Sequence, residues 1–311
     1  MKKITVMGVP MWLGQSEYGV QLGPNAIRSV NLKERLQLLG NDVIDIGNLE
    51  INSNSLHNCV QEDECNIKNL KVVRDISEQM ALQVSEICMH ERFPLILGGD
   101  HSIAIGTLAG ISKHYKNLGV IWYDAHADSN TAETSPSGNI QGMPLAASVG
   151  AGHADLVQVG GYKNKIKPEN IVLVGVRDID PGEREFIHAN KIKYFTTQDV
   201  QEIGIIKVMD EVISYLAHKC DGIHLSFDLD VIDPQDSNGV GTPVDNGIRI
   251  EENIKAIQML AKAKVITSAE FVELNPLLDT DGKTVTAAMV LIQALFEQDK
   301  SNIRARICEV L

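Results

Sequence analysis

A single three-layer α/β/α domain with a mostly parallel central sheet, spanning residues 1–311, is the fold class this sequence predicts. Three observations predict it. Short β-branched runs alternate with helix-length amphipathic segments, the pattern of βαβ units whose sheet is covered on both faces. Nothing reads as a linker, a repeat or a low-complexity segment, so nothing divides the chain. Every chemically suggestive motif follows a predicted strand, and open sheets of this kind bind ligands beyond the carboxyl ends of their strands.

Taken in order, Ile4–Val9 reads as the first strand and Asp42–Ile46 as the second. Between them Pro24–Leu39 reads as one helix, with proline near its start and Gly40 at its end. Asn66–Glu91 carries apolar residues at helical spacing and reads as a long helix. Pro94–Leu97 is a strand running into Gly98-Gly99-Asp100-His101-Ser102. Leu118–Asp124, Ile171–Val176, Gly222–Phe227 and Val265–Val272 are further strands. Helices are expected near Ile103–His114, Gln198–His218, Glu251–Ala263 and Thr284–Glu297, and another begins at Pro181.

Composition narrows the function classes. With 44% hydrophobic and 22% charged residues, the chain can bury a sizeable core. Its net charge of −13 argues against nucleic acid, which requires basic patches, and against an anionic membrane surface. The acidic balance tolerates a cationic substrate or a metal. No run approaches the roughly 18 apolar residues of a membrane span. The apolar stretch after Met1-Lys2-Lys3 is too short for a signal peptide. Cys59, Cys65, Cys88, Cys220 and Cys308 form no C-x-x-C pair and read as free thiols of a cytoplasmic protein.

Three motifs carry chemistry. In Asp124-Ala125-His126-Ala127-Asp128, residues two apart share a face of extended backbone, so Asp124, His126 and Asp128 converge at a strand end. In Ser226-Phe227-Asp228-Leu229-Asp230, Asp228 and Asp230 do the same, and neighbouring buried carboxylates call for a cation. Capping or turn duty suits Asp233-Pro234 better than either. In Gly98-Gly99-Asp100-His101, the glycines permit a tight turn and close backbone approach, and His101 starts a helix. Two imidazoles and four carboxylates suit a hard ion, Mn²⁺ better than Zn²⁺. Six donors exceed the needs of one ion with an open position. Two divalent ions about 3.5–4 Å apart, bridged by carboxylate and water, fit better.

On these motifs, and on Gly14-Gln15, Gly19-Val20 and Gly23-Pro24-Asn25-Ala26-Ile27-Arg28, the chain resembles the ureohydrolase (arginase/agmatinase) family over nearly its whole length. The resemblance implies one manganese held by His101, Asp124, Asp128 and Asp228, and a second by Asp124, His126, Asp228 and Asp230. It implies hydrolysis of a small cationic guanidino substrate, L-arginine foremost, to ornithine and urea by a metal-bridging hydroxide. Cobalt or iron is the alternative metal. The loop 128–139 looks like one in which Asn130, Ser135, Ser137 and Asn139 hold an α-carboxylate. Asp180 and Glu183 match acceptors for the α-ammonium; both also suit a helix cap. Glu273 matches the carboxylate that grips the guanidinium, Thr242 a residue lining that pocket, and Asp128 a proton carrier. A homo-oligomer, trimer or hexamer, is implied as well.

One position departs from the family pattern. Gln141 stands in Gly138-Asn139-Ile140-Gln141-Gly142, where relatives usually carry histidine in the proton path. Glutamine hydrogen-bonds but cannot titrate. Hydroxyarginine or agmatine is therefore an alternative substrate, although agmatine lacks the carboxylate the loop would hold. A non-catalytic arginine- or metal-binding relative is the other alternative.

Overall fold

The structure, a computed structural model, describes residues 1–51 and 66–297. Cys59, Cys65 and Cys308 lie outside the described residues, while Cys88 and Cys220 are free. The strands are β1 (Lys3–Val9), β2 (Asp42–Asn48), β3 (Phe93–Gly98), β4 (Leu118–Tyr123), β5 (Ile171–Val176), β6 (Lys193–Thr196), β7 (Gly222–Asp228) and β8 (Ile266–Val272). They form one eight-stranded sheet in the order β2-β1-β3-β8-β7-β4-β5-β6. Every neighbouring pair runs parallel.

The helices are α1 (Gly23–Ser29), α2 (Leu32–Leu38), α3 (Leu70–Met89), α4 (Ala104–Ile111), α5 (Pro144–Val149), α6 (Ala154–Val157), α7 (Pro181–Asn190), α8 (Thr197–Ile203), α9 (Ile205–Ala217), α10 (Ile250–Ala263) and α11 (Lys283–Phe296). They cover the sheet on both sides. Alternate residues of a strand point to opposite faces, and the apolar contacts divide accordingly. Ile121 and Tyr123 of β4 join one core with α1, α2 and α8 to α11. Val120 and Trp122 join the other, with α3 to α7. Strands buried on both faces read as continuous apolar runs, which is why β3, β4 and β5 were plain in the sequence. Gly175, at φ 94°, breaks the register of β5 with β6. The resulting bulge moves Val176 to the core opposite Val174.

Several expected elements differ, each for a local reason. The helix expected over Pro24–Leu39 is two, because Asn31 adopts a left-handed conformation (φ 60°) that ends α1 and starts α2. The helix expected over Gln198–His218 is also two, parted at Gly204 (φ 86°). The long helix begins at Leu70 rather than Asn66, since Asn66 and Asn69 both have positive φ. The helix expected over Ile103–His114 carries α4 between two 3-10 turns. The four-residue edge strand β6 and the short α5 and α6 were not anticipated. No described helix is long and apolar enough to cross a membrane.

Candidate metal centre and substrate cleft

The strand order decides which loops meet. β3, β8, β7 and β4 lie side by side, so the segments leaving their carboxyl ends emerge together. Leu97, Phe271, Phe227 and Tyr123 are level across these four strands. Tyr123 stacks on Phe227 at 4.9 Å and Phe227 on Phe271 at 5.3 Å, which fixes the relative heights of the strand ends. The next residues along β4 and β7 are Asp124 and Asp228, both buried.

Beyond the strands the chain does not stay extended as expected. β4 stops at Tyr123, and residues 124–128 curl, with Asp128 at φ 47°. The three motifs use the same device. The Asp100 carboxylate accepts Ser102 N–H at 2.9 Å, Asp124 accepts His126 N–H at 2.6 Å, and Asp228 accepts Asp230 N–H at 2.8 Å. An aspartate that caps the amide two residues on turns the backbone tightly and leaves its other oxygen to meet a different partner. Turn duty was expected of Asp233 and not of Asp228; both perform it, Asp233 by accepting from Gln235 and Gly247. The close approach expected of the glycines holds at Gly99, where a Cβ would lie 1.8 Å from the Met11 carbonyl.

The curls bring the ligand-type atoms together. His101 Nδ1 lies 3.0 Å from Asp124 Oδ2, 3.0 Å from Asp128 Oδ2 and 3.1 Å from Asp228 Oδ2. His126 Nδ1 lies 2.9 Å from Asp230 Oδ2 and 3.4 Å from Asp124 Oδ1. Two overlapping groups result, His101/Asp124/Asp228 and Asp124/His126/Asp230, with Asp124 common to both. His101 Nδ1 is buried and has no hydrogen-bond partner. A ring nitrogen ringed by three carboxylate oxygens is an arrangement that a hard divalent cation satisfies, and the donor set fits one.

Electrostatics agree. Burial, then the charges of Asp230 and Asp124, pushes the Asp228 carboxyl well above its ordinary range. Burial and Asp124 push Asp128 up to about 7. Burial would raise Asp124 too, but the adjoining His101 and His126 imidazoles outweigh it and hold this carboxyl low. Both imidazoles are raised well above the usual histidine value, because the carboxylates outweigh burial. Such opposed shifts mark a site organised around separated charge.

A cleft of about 280 Å³ opens over these groups. Asn130, Ser135, Ser137, Asn139, Gln141, Asp180, Glu183, Thr242 and Glu273 line it with His101, His126, Asp128, Asp228 and Asp230. Among the expected site residues Asp124 alone is not in the lining, being wholly buried beside both histidines. Some side chains already have partners. Glu183 accepts from Ser129 N–H (2.9 Å) and Asp180 N–H (3.0 Å), so the cap role is filled. Burial pushes its carboxyl up to about 7. Asp180 accepts from Asn130 Nδ2 at 2.9 Å, and Thr242 donates to Asp230 at 3.2 Å. Gln141 Oε1 is buried and unpartnered.

Glu273 follows β8 at φ 68°, a conformation that costs a non-glycine residue about 1–3 kcal/mol. Its surroundings hold it there: its N–H donates to Gly99 O, and its carboxylate accepts His101 N–H at 2.7 Å and Gln15 Nε2 at 3.3 Å. Burial, then Asp100, raises this carboxyl well above its ordinary range.

Sequence reasoning missed several contributors. Arg177 donates to the carbonyls of Asp230 (2.7 Å) and Val244 (2.8 Å), clamping the turn after β7. Trp122 stacks on the His101 ring at 4.1 Å and donates to Asp124 Oδ2 at 3.0 Å. Ser226 Oγ lies 2.7 Å from His101 Nε2. One signal was available: His224, Ser226 and Asp228 alternate with apolar residues along the strand expected at Gly222–Phe227.

The arginase family model matches residues 2–297. The arginase of Bacillus caldovelox is 53% identical over 297 residues, 95% of this chain and 98% of that protein. Its native structure at pH 5.6 superposes with a TM-score of 0.92 at 52% identity, covering 96% of this chain and 99% of that one. The Entamoeba histolytica arginase in complex with L-ornithine has a TM-score of 0.84 at 33% identity, covering 96% and 100%.

Proposed function

Because the chain belongs to the arginase family, whose named arginases are hydrolases acting on a carbon–nitrogen bond of arginine, we propose that it cleaves L-arginine to L-ornithine and urea with a manganese pair. The observation that carries this reading is the meeting of His101 Nδ1 with three aspartates from two other loops, all within 3.0–3.1 Å. His101, Asp124, Asp128 and Asp228 would hold one ion, and Asp124, His126, Asp228 and Asp230 the other. When bound, the pair supplies Lewis-acid activation of water and a positive field for charge developing on the substrate.

The chain's own groups do the rest. The buried Glu273 carboxylate pairs with the planar guanidinium and orients its carbon. The bonds from His101 N–H and Gln15 hold that carboxylate still, so little orientation is lost on binding. Asp128 carries a proton from the attacking water to the departing amine. Asn130, Ser135, Ser137 and Asn139 present hydroxyls and amides to the α-carboxylate, and the Asp180 carboxylate accepts from the α-ammonium. The Gln141 amide is free to hydrogen-bond to a bound substrate but cannot exchange a proton with it.

The test is urea release from L-arginine, agmatine and hydroxyarginine by manganese-loaded protein, with metal-free protein as control. Arginine is expected to be turned over fastest, and Asp228→Ala to bring turnover to background. Loaded protein that releases no urea from arginine would overturn the reading, as would an Asp228→Ala variant retaining near-normal turnover.

A further inference from the structure

Beneath the candidate metal centre lies a row of polar side chains where a sheet covered on both faces should be apolar. Along β7, His224, Ser226 and Asp228 are two apart and share a face; along β8, Ser268 and Glu270 do the same. The strands pair His224 with Ser268 and Ser226 with Glu270, so the row is continuous. All are buried, with His224, Ser226 and Glu270 at 0% exposure. Burying such groups is unfavourable unless each finds a partner.

The hydrogen bonds have a direction. Ser226 Oγ donates to Glu270 Oε1 at 2.7 Å. Its single proton is thereby committed, since a carboxylate only accepts. Ser226 Oγ therefore accepts the bond from His101 Nε2, also 2.7 Å long. In the neutral form that binds a metal, His101 therefore keeps its proton at Nε2, and the Nδ1 lone pair is the one turned toward the three aspartates. His224 Nε2 faces Glu270 Oε1 at 3.3 Å, and His224 Nδ1 meets Ser268 Oγ at 3.0 Å. Burial pushes the Glu270 carboxyl up, yet the His224 imidazole outweighs this and holds it below its ordinary range, consistent with an acceptor.

We propose that Ser226 and Glu270, backed by His224, are positioning residues that fix the His101 tautomer and so set the affinity of the ion His101 holds. The inference rests on the metal pair proposed above. Groups that orient a metal-bound histidine through its second nitrogen typically contribute about 10- to 100-fold in metal affinity.

The probe is Mn²⁺ alone, titrated into the metal-free full chain against a chelating dye. Wild type is expected to bind two ions. Ser226→Ala and Glu270→Gln should each weaken one ion by about 10- to 100-fold. The other ion, on His126 and Asp230, should bind as before. Ser226→Ala removes one hydroxyl and decides the matter if Glu270→Gln does not fold. Wild-type affinity for both ions in Ser226→Ala overturns the proposal. So does equal weakening of both ions with a lowered Tm of the metal-free variant, the mark of a merely structural role. A wild-type chain that binds no Mn²⁺ overturns the metal pair itself, and the relay with it.

Discussion

At the scale of single residues, the site depends on side chains whose two ends do different work. Asp124 and Asp228 each cap an amide with one oxygen and face an imidazole with the other. Gln141 stands where the family resemblance leads one to expect histidine. It lines the cleft, and its Oε1 is buried without a partner. An amide cannot take or give a proton near neutrality, whereas histidine titrates near 6.5. Gln141→His is accordingly expected to add an ionisation to the pH dependence of kcat/KM on arginine. Superimposable profiles for the variant and the wild type would place position 141 outside the proton path.

At the scale of elements, turns decide more than periodicity. α1 and α2 would read as one amphipathic helix but for Asn31, held at φ 60° and ψ 42°. Asparagine tolerates this region because its short polar side chain satisfies nearby backbone, while other residues with a Cβ lose about 1–2 kcal/mol there. Asn31→Ala should therefore lower stability by about 1–2 kcal/mol in denaturant unfolding, and Asn31→Gly should not. Equal stability of the two variants would show that backbone conformation does not set the break. The Thr196 side chain performs a related task at the other edge of the sheet. It accepts Asp199 N–H at 3.1 Å, while Asp199 returns a bond to Thr196 N–H at 2.7 Å, starting α8 directly from β6.

At the scale of the whole molecule, four carboxylates and two imidazoles stand at the ends of the central strands, over a core sealed on both faces. Repulsion among the carboxylates opposes folding until cations offset it. Metal binding to the folded chain should consequently raise stability. At a hundredfold excess of free Mn²⁺ over Kd, one site contributes about 2.7 kcal/mol. Chelation of the loaded protein is expected to lower Tm, and manganese to restore it. A Tm indifferent to both treatments would mean that these residues hold no ion.

The sequence by itself determined the α/β class, the strands at the centre of the sheet and the motifs at their ends. These depend on local composition and periodicity, which neighbouring residues dictate. It also marked the six aspartate and histidine side chains that the structure brings together, because they cluster directly after apolar strand segments. Only the tertiary structure decided that β8 inserts between β3 and β7, which sets Glu273 beside His101 across 172 positions of chain. It alone turned the alternation of His224, Ser226 and Asp228 from the look of a half-exposed strand into a buried polar row. Strand pairing and burial are properties of the packed sheet, and they depend on contacts between segments too distant in sequence for any local pattern to record.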